Sequence, residues 1–274
     1  MQMVVHKSDL IVIVMEMTLL AQFIGDTINL GFRYRTPVVT VVVAYLVALN
    51  GAYAQGAENA IERLKLPGIK INLGERCVDV ESTVCLDEGT LELVACTKHT
   101  KEHESIVAIN AKAVHVHTAL LLLGAKPGTP AMHKQVGDGE ERRWIDVPPS
   151  GGQVEVFLVI ESEEGKEVVR PISEFINPVV MNEKTTFPTH SFLFAGSNLI
   201  AEGEGPRTYG CDRSGNVISI ATFGDELLCL PEVHSHENGA LRWQIDSSYL
   251  PKVGSRVLLR LRPKQVDEKH PPLQ

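Results

Sequence analysis

Hydrophobic positions downstream of residue 68 come in short runs, several of them alternating, and only one run is long and continuous enough for a helix. The runs Ile69 to Leu73, Arg76 to Leu86, Leu91 to Thr97 and Ser105 to Ile109 read as strands. So do Val154 to Ile160, Glu167 to Phe175, Ser191 to Ile200, Val217 to Thr222, Ala240 to Ile245 and Arg256 to Leu261. Alternation in Arg256-Val257-Leu258-Leu259-Arg260-Leu261 marks half-buried antiparallel sheet. Asp87-Glu88-Gly89-Thr90, with Gly89 available for a positive-φ position, predicts a β-hairpin between the second and third runs. Asn110 as N-cap, Gly124 as C′ residue and Pro127 as stop bracket a nearly all-apolar helix over 111–123, expected to be buried. The expected class is therefore α+β, mostly antiparallel β with one main buried helix.

The N-terminal part follows a different pattern. Arg33 and Arg35 precede the apolar run Val38 to Leu49, and Ala52-Tyr53-Ala54 is a small-x-small site of the kind a signal peptidase cuts. Residues 1–54 thus read as an export segment, an upstream start extension followed by a signal peptide cleaved near 54/55. An uncleaved anchor is the other reading. Residues 55–68 are polar and read as a linker, 69–264 as a single β-rich domain, and the proline-rich, charged 265–274 as a disordered tail. Val136 to Arg143, rich in Gly and charge, reads as an internal linker.

Composition narrows the function classes. An apolar fraction of 44% in 274 residues supports a real core. A formal charge of −8 and the lack of a long Lys/Arg run set nucleic acid aside as a partner, because its affinity rests on cationic contacts. Membrane contact is expected only through the N-terminal signal or anchor, leaving a protein or envelope partner. The five cysteines, Cys77, Cys85, Cys96, Cys211 and Cys229, all follow the proposed cleavage site. Export permits disulfides, and the odd count leaves at least one thiol outside an internal pair.

Candidate chemistry concentrates in Cys96 to Glu104, which holds Cys96, His99, Glu102, His103 and Glu104. Thiolate and imidazole suit zinc or another transition metal. His99-Thr100-Lys101-Glu102-His103 also matches H-x-x-E-H, but that chemistry needs a helix, and the flanking residues favour a strand. In the predicted helix, His117 shares a side with Ala113, Val114, Leu120 and Leu121, whereas His115 lies nearer Lys112 and Thr118. His117 is thus the buried one, and its expected partners are His103 or Glu104, either as a structural clip or around a metal. His234 and His236 form a second metal candidate in a loop, and Ser197 sits in a small-residue stretch with no base named for it.

Val84-Cys85-Leu86, Leu91-Glu92, Thr100-Lys101-Glu102-His103-Glu104-Ser105, the block His117 to Pro130 and Phe194-Ala195-Gly196-Ser197 resemble the YdjY-type domain, common in exported proteins of planctomycete-like bacteria. The resemblance covers about Ile69 to Pro263 and singles out His103 and His117. The family has a glycine-like residue where this chain has His99, so the H-x-x-E-H match is accidental on that comparison. It also has a tryptophan before its FAGS block, where this chain has Phe192-Leu193. The family carries no assigned activity, so what the resemblance implies is fold and export.

Three readings follow. The first is an exported, non-enzymatic binding or envelope module in which His103, Glu104 and His117 form a polar clip. The second is a metal-binding or redox domain using Cys96, His103 and His117. The third, a hydrolase, has only Ser197 or Glu102 to work with.

Overall fold

Burial along Arg256–Pro263 alternates residue by residue, with Val257, Leu259 and Leu261 inside, and this one strand sits at the centre of the architecture. The structure is a computed structural model and describes residues 64, 66–137, 142–162, 164–180, 186–188, 192–201, 205–235, 237 and 240–264. The first elements are β1 (Ile69–Asn72), β2 (Cys77–Val84), β3 (Leu93–Thr97), β4 (Ser105–Ile109) and helix α1 (Ala113–Leu122). Next come β5 (Met132–Val136), β6 (Arg143–Val147), β7 (Gln153–Glu161), β8 (Glu167–Pro171), β9 (Ile176–Pro178), β10 (Phe192–Leu193) and β11 (Leu199–Ile200). The last are β12 (Thr208–Tyr209), the short helix α2 (Gly210–Ser214), β13 (Asn216–Ser219), β14 (Leu228–Cys229), β15 (Trp243–Ile245) and β16 (Arg256–Pro263).

Strands β2, β16, β7, β10, β14, β13, β3 and β4 hydrogen-bond in that order. β4 then returns to β2, with Ser82 opposite Ile109 and Val84 opposite Val107, closing an eight-stranded barrel. β1 pairs with Cys77 to Val80 and β4 with Ser82 to Val84, while β16 pairs along Val78 to Thr83. A strand has two edges, so β1 and β4 lie end to end along the same edge of β2. Inside, side chains form layers: Leu259 stands opposite both Val80 and Leu158, and Leu261 opposite both Val78 and Val156. All of these are buried. An eight-stranded barrel has an interior of the width that side chains fill, and each such aliphatic contributes about 1.5–3 kcal/mol on burial.

This corrects the expected α+β class with a main buried helix over 111–123. The protein is mostly β and built as a closed barrel, and α1 is the only helix of seven or more residues among those described. The apolar character of α1 misleads because it runs around the whole circumference. Ala113, Val116, Ala119 and Leu120 are buried, whereas Leu121 and Leu122 are exposed.

The predicted hairpin is also corrected. β2 and β3 do not pair with each other; both pair with β4, and β3 runs parallel to it. The Asp87–Thr90 turn instead meets β15, through a bridge from Thr90 to Gln244 and the Ile245 N–H on Gly89 O at 3.0 Å. The two ends of the expected internal linker, Val136 and Arg143, pair with each other in the antiparallel ladder of β5 and β6, and residues 138–141 lie outside the described residues. The export segment 1–54, residues 55–63 and 65 of the linker and the tail 265–274 lie outside the described residues.

Helix α1 follows directly from β4 and lies against β1 and β2. Its expected N-cap, Asn110, does not cap it. The helix starts after Lys112, and the Ala113 N–H is taken by Asp212 Oδ1 at 2.5 Å, from α2. Gly124 does end it as expected: its φ is 80°, its N–H meets Leu121 O at 2.9 Å, and Ala125 N–H meets Leu120 O at 3.0 Å. That pair of bonds is a Schellman motif, which needs a left-handed residue at the Gly124 position. The Arg76 guanidinium closes the same end on Leu123 O at 3.0 Å.

Candidate functional site

Three places bring chemistry-bearing side chains together. The first is built around His117, on the second turn of α1. Its Nδ1 lies 2.8 Å from Tyr209 OH, and that hydroxyl donates to Gly196 O at 2.9 Å. Tyr209 has one proton to give, so His117 donates Nδ1–H to the phenolic oxygen, which fixes the tautomer and leaves Nε2 the acceptor. The ring packs edge-on against Phe194 and Tyr209, with centroids 4.8 and 5.7 Å away. Burial holds His117 below the usual imidazole range, opposed by the Gly196 carbonyl. Burial likewise keeps Tyr209 protonated by pushing its pKa up.

Gly196 is what lets this centre close. A Cβ there would stand 3.1 Å from Pro127 Cβ and 3.4 Å from His117 Cε1. Gly128, one residue past Pro127, is held just as tightly, since a Cβ on it would fall 2.2 Å from Ser150 O. Its N–H bonds Phe194 O at 2.8 Å, and Phe194 N–H in turn bonds Gly152 O at 2.8 Å. The segments 124–130, 150–152 and 194–197 are therefore knotted together by main-chain bonds beneath the imidazole.

Ser197 belongs to this knot and has the geometry of a brace. Its φ is 55°, its Oγ–H donates to Asp225 O at 2.7 Å, and its Oγ accepts the Cys211 N–H at 3.0 Å. The hydroxyl proton expected of a nucleophile is committed to a carbonyl.

The second place surrounds Ser105, at the start of β4. Cys96 is fully buried on β3, and Cys85, partly exposed, places its Sγ 3.1 Å from Ser105 O. The Ser105 hydroxyl donates to Lys101 O at 2.7 Å and the Thr100 hydroxyl to Thr97 O at 2.5 Å, so main-chain carbonyls take the protons around Cys96. Next to them, Lys101 Nζ lies 3.2 Å from Glu104 Oε1, 3.9 Å from Glu92 Oε2 and 3.6 Å from the centre of the Phe223 ring.

His103 lies in a one-turn 3-10 helix over Glu102–Glu104, with its side chain 77% exposed and Nε2 3.6 Å from Glu104 Oε2. The H-x-x-E-H residues thus do not lie on an α-helix. The structure does not bring His103 and Glu104 to His117. They precede β4 while α1 follows it, and a five-residue strand spans roughly 15 Å. His234 is half-buried in the 230–235 loop, and burial followed by Arg242 lowers its pKa. His236 lies outside the described residues. Among the described residues there is no group of three or more His, Cys, Asp or Glu placed to hold a metal ion.

The third place is hairpin β5–β6, which pairs with no barrel strand among those described. Trp144 is 69% exposed, Met132 43% and Ile145 38%. Register puts Met132, Val147, Ile145 and Val136 on one face together with Lys134 and Arg143. Trp144, Gln135 and the His133–Asp146 pair, at 2.6 Å, lie on the other. The base of the hairpin is the knot under His117, through the Pro127–Gly151 bridge and the Ser150 N–H on Thr129 O at 2.9 Å.

Sequence reasoning missed Tyr209, Cys85 and the hairpin. Tyr209 sits in a two-residue strand too short for any period, and Cys85 gave no spacing signal because the carbonyl it meets, Ser105 O, lies 20 residues on in another strand. Arg143-Trp144-Ile145-Asp146-Val147 did carry an alternating β pattern that could have been read.

A family model described as the YdjY domain matches residues 69–262, from the first residue of β1 to within one residue of the end of β16. No curated protein and no solved structure matches the chain. The match covers well over half of the sequence and takes in the barrel, α1, the His117 centre and the hairpin, and on that ground the chain belongs to the YdjY domain family.

Proposed function

We propose that this YdjY domain is an exported, non-enzymatic binding module of the cell envelope, docking a protein partner through hairpin β5–β6. The observation that carries this reading is the hairpin's exposure combined with its rooting. A two-stranded hairpin alone is marginal in water, yet this one presents Trp144, Met132 and Ile145 to solvent while its base is fastened under His117. Trp144 stands on one face of the arm and Met132 and Ile145 on the other, and exposed aromatic and apolar side chains on an outlying element have the composition of an interaction surface. The His117 centre then has a mechanical role: it fixes the point at which the arm leaves the barrel. Export rests on the N-terminal pattern of Arg33, Arg35, Val38 to Leu49 and Ala52-Tyr53-Ala54.

The test places a photo-crosslinking amino acid at Trp144 in cells making the full chain, with Val253, 50% exposed in the turn before β16, as the control position. The reading expects a discrete protein adduct from Trp144 alone, in the exported fraction, on a chain whose N-terminus has been processed near Gln55. Equal labelling from both positions, or a chain retained in the cytosol, overturns it.

A further inference from the structure

We propose that hairpin β5–β6 docks onto a second copy of this chain, the outer edge of β6 pairing antiparallel with the same edge of its partner about a two-fold axis at Trp144. The inference names the partner of the docking reading and rests on it. It starts from the main chain. β5 and β6 pair with each other and with no further strand among those described, so each has one edge that no ladder uses. Met132 to Gln135 and Arg143 to Asp146 are exposed, so neither face of the ribbon is covered. Two strands alone are marginal, three or more hold together, and an open edge is a template for another strand.

The residues on the two edges decide which one pairs. β5 reads Met132-His133-Lys134-Gln135-Val136 and has no carboxylate, so no symmetric register of that strand on itself opposes unlike charges. Lys134 at its middle is also a common guard of an open edge. β6 with the residue before it reads Arg142-Arg143-Trp144-Ile145-Asp146-Val147 and holds both signs.

Symmetry then fixes the register. A two-fold axis normal to the sheet keeps every side chain on its own face, so a residue can stand opposite only itself or one an even number of positions away. With Trp144 on the axis, Trp144 faces the partner's Trp144, Arg142 faces the partner's Asp146, and Asp146 faces the partner's Arg142, all on one face. Arg143 then lies beside the partner's Ile145 on the other. An axis at Arg143 would set two guanidinium groups against each other, and an axis at Ile145 would oppose Trp144 to a carboxylate. Aromatic pairs and unlike charges directly across two strands are what stabilise a ladder. Asp146 Oδ1 already meets His133 Nδ1 at 2.6 Å, which leaves Oδ2 for the incoming guanidinium. The contact is isologous and joins two hairpins into one four-stranded antiparallel sheet.

The test is sedimentation velocity of the purified full chain over about two decades of concentration up to roughly 10⁻⁴ M, the range in which a contact of one strand per chain should show. The expected result is a monomer–dimer equilibrium. Arg142→Glu and Asp146→Arg each set like charges across the axis, and each is expected to raise the dissociation constant by about tenfold or more. The chain carrying both reversals restores unlike pairs and should return to within about threefold of the parent. That rescue is a result which simple damage to the arm would not give. Both positions are exposed, so circular dichroism should match the parent in all three variants. A parent chain that stays monomeric overturns the proposal, as does a dimer that ignores the single reversals or is not restored by the double one. A monomeric chain whose Trp144 position crosslinks to a different protein removes the second copy and leaves the docking reading standing. A charge-dependent dimer of a chain retained in the cytosol keeps the pairing and removes the exported part of that reading.

Discussion

Asp79 and Arg260 stand opposite each other on β2 and β16, 181 residues apart in sequence, and meet in a two-point ion pair at 2.6 and 2.8 Å. Both side chains are largely out of water, 9% and 12% exposed, so neither charge is hydrated well enough to stand alone. Asp79 raises the Arg260 pKa further and keeps the guanidinium charged. Asp79→Asn therefore leaves a poorly solvated cation whose only remaining carboxylate contact is the longer 3.6 Å one to Glu75. We expect it to cost about 2–4 kcal/mol in urea denaturation, while an apolar replacement of both partners regains much of that loss. An Asp79→Asn variant as stable as the parent would show that the pair contributes nothing. His117 makes a pH prediction. Because burial lowers its folded pKa, the unfolded chain binds more protons in the window from the usual imidazole value of about 6.5 down to that lower value. Stability should fall as pH drops through that window and stop falling from this source below it. His234 acts in the same direction. Urea midpoints at pH 7.5 and 5.5 should differ less in His117→Gln than in the parent, and an unchanged difference would remove His117 as a source.

At the scale of elements, α1 is held by residues that the local sequence does not supply. Asp212 reaches its N-terminus from α2, and Arg76 reaches its C-terminus from the β1–β2 turn. Each charge has the sign that the adjacent helix end favours. Asp212→Ala should destabilise the protein by about 1–2 kcal/mol, whereas Asn110→Ala, at the position a local reading selects, should change little. Equal losses would restore Asn110 as the cap. The same contrast explains what was legible. Gly124 and Pro127 could be read because a helix stop is local chemistry, whereas helix faces do not separate the two histidines, since His115 and His117 are both partly buried. Tyr209 and Asp212 could not, since their roles depend on α2 folding back onto α1 across about a hundred residues. The hairpin escaped because Gly137 and its charged neighbours dominate a short window, although Trp144 and Ile145 beside them have strand propensity. Since hairpin β5–β6 exposes its apolar residues, replacing Met132, Trp144 and Ile145 together with Ser should move stability by no more than about 0.5 kcal/mol. A larger loss would mean that these side chains pack on the barrel.

At the scale of the whole molecule, closure depends on strands that are far apart in the chain. β16 lies between β2 and β7, pairing Arg260 with both Asp79 and Phe157. Alternation in Arg256 to Leu261 revealed a half-buried strand, but no local pattern shows that the sheet closes on itself. β3, β4 and β13 are buried at nearly every position and carry no alternation. Closure also predicts how the protein folds. The β2–β16 ladder forms only after a loop of well over a hundred residues has been closed, and the entropy of that closure comes before the contacts that offset it. Refolding should therefore take milliseconds to seconds, as for other sheets dominated by non-local pairing. Leu259→Ala tests the same ladder from inside, because Leu259 is fully buried between Val80 and Leu158. It should cost about 2–5 kcal/mol. If β16 docks last, that loss should appear mainly as faster unfolding, with the refolding rate nearly unchanged. Stopped-flow refolding and unfolding of Leu259→Ala beside the parent measure both rates, and a slowed refolding arm would place β16 in the folding nucleus instead.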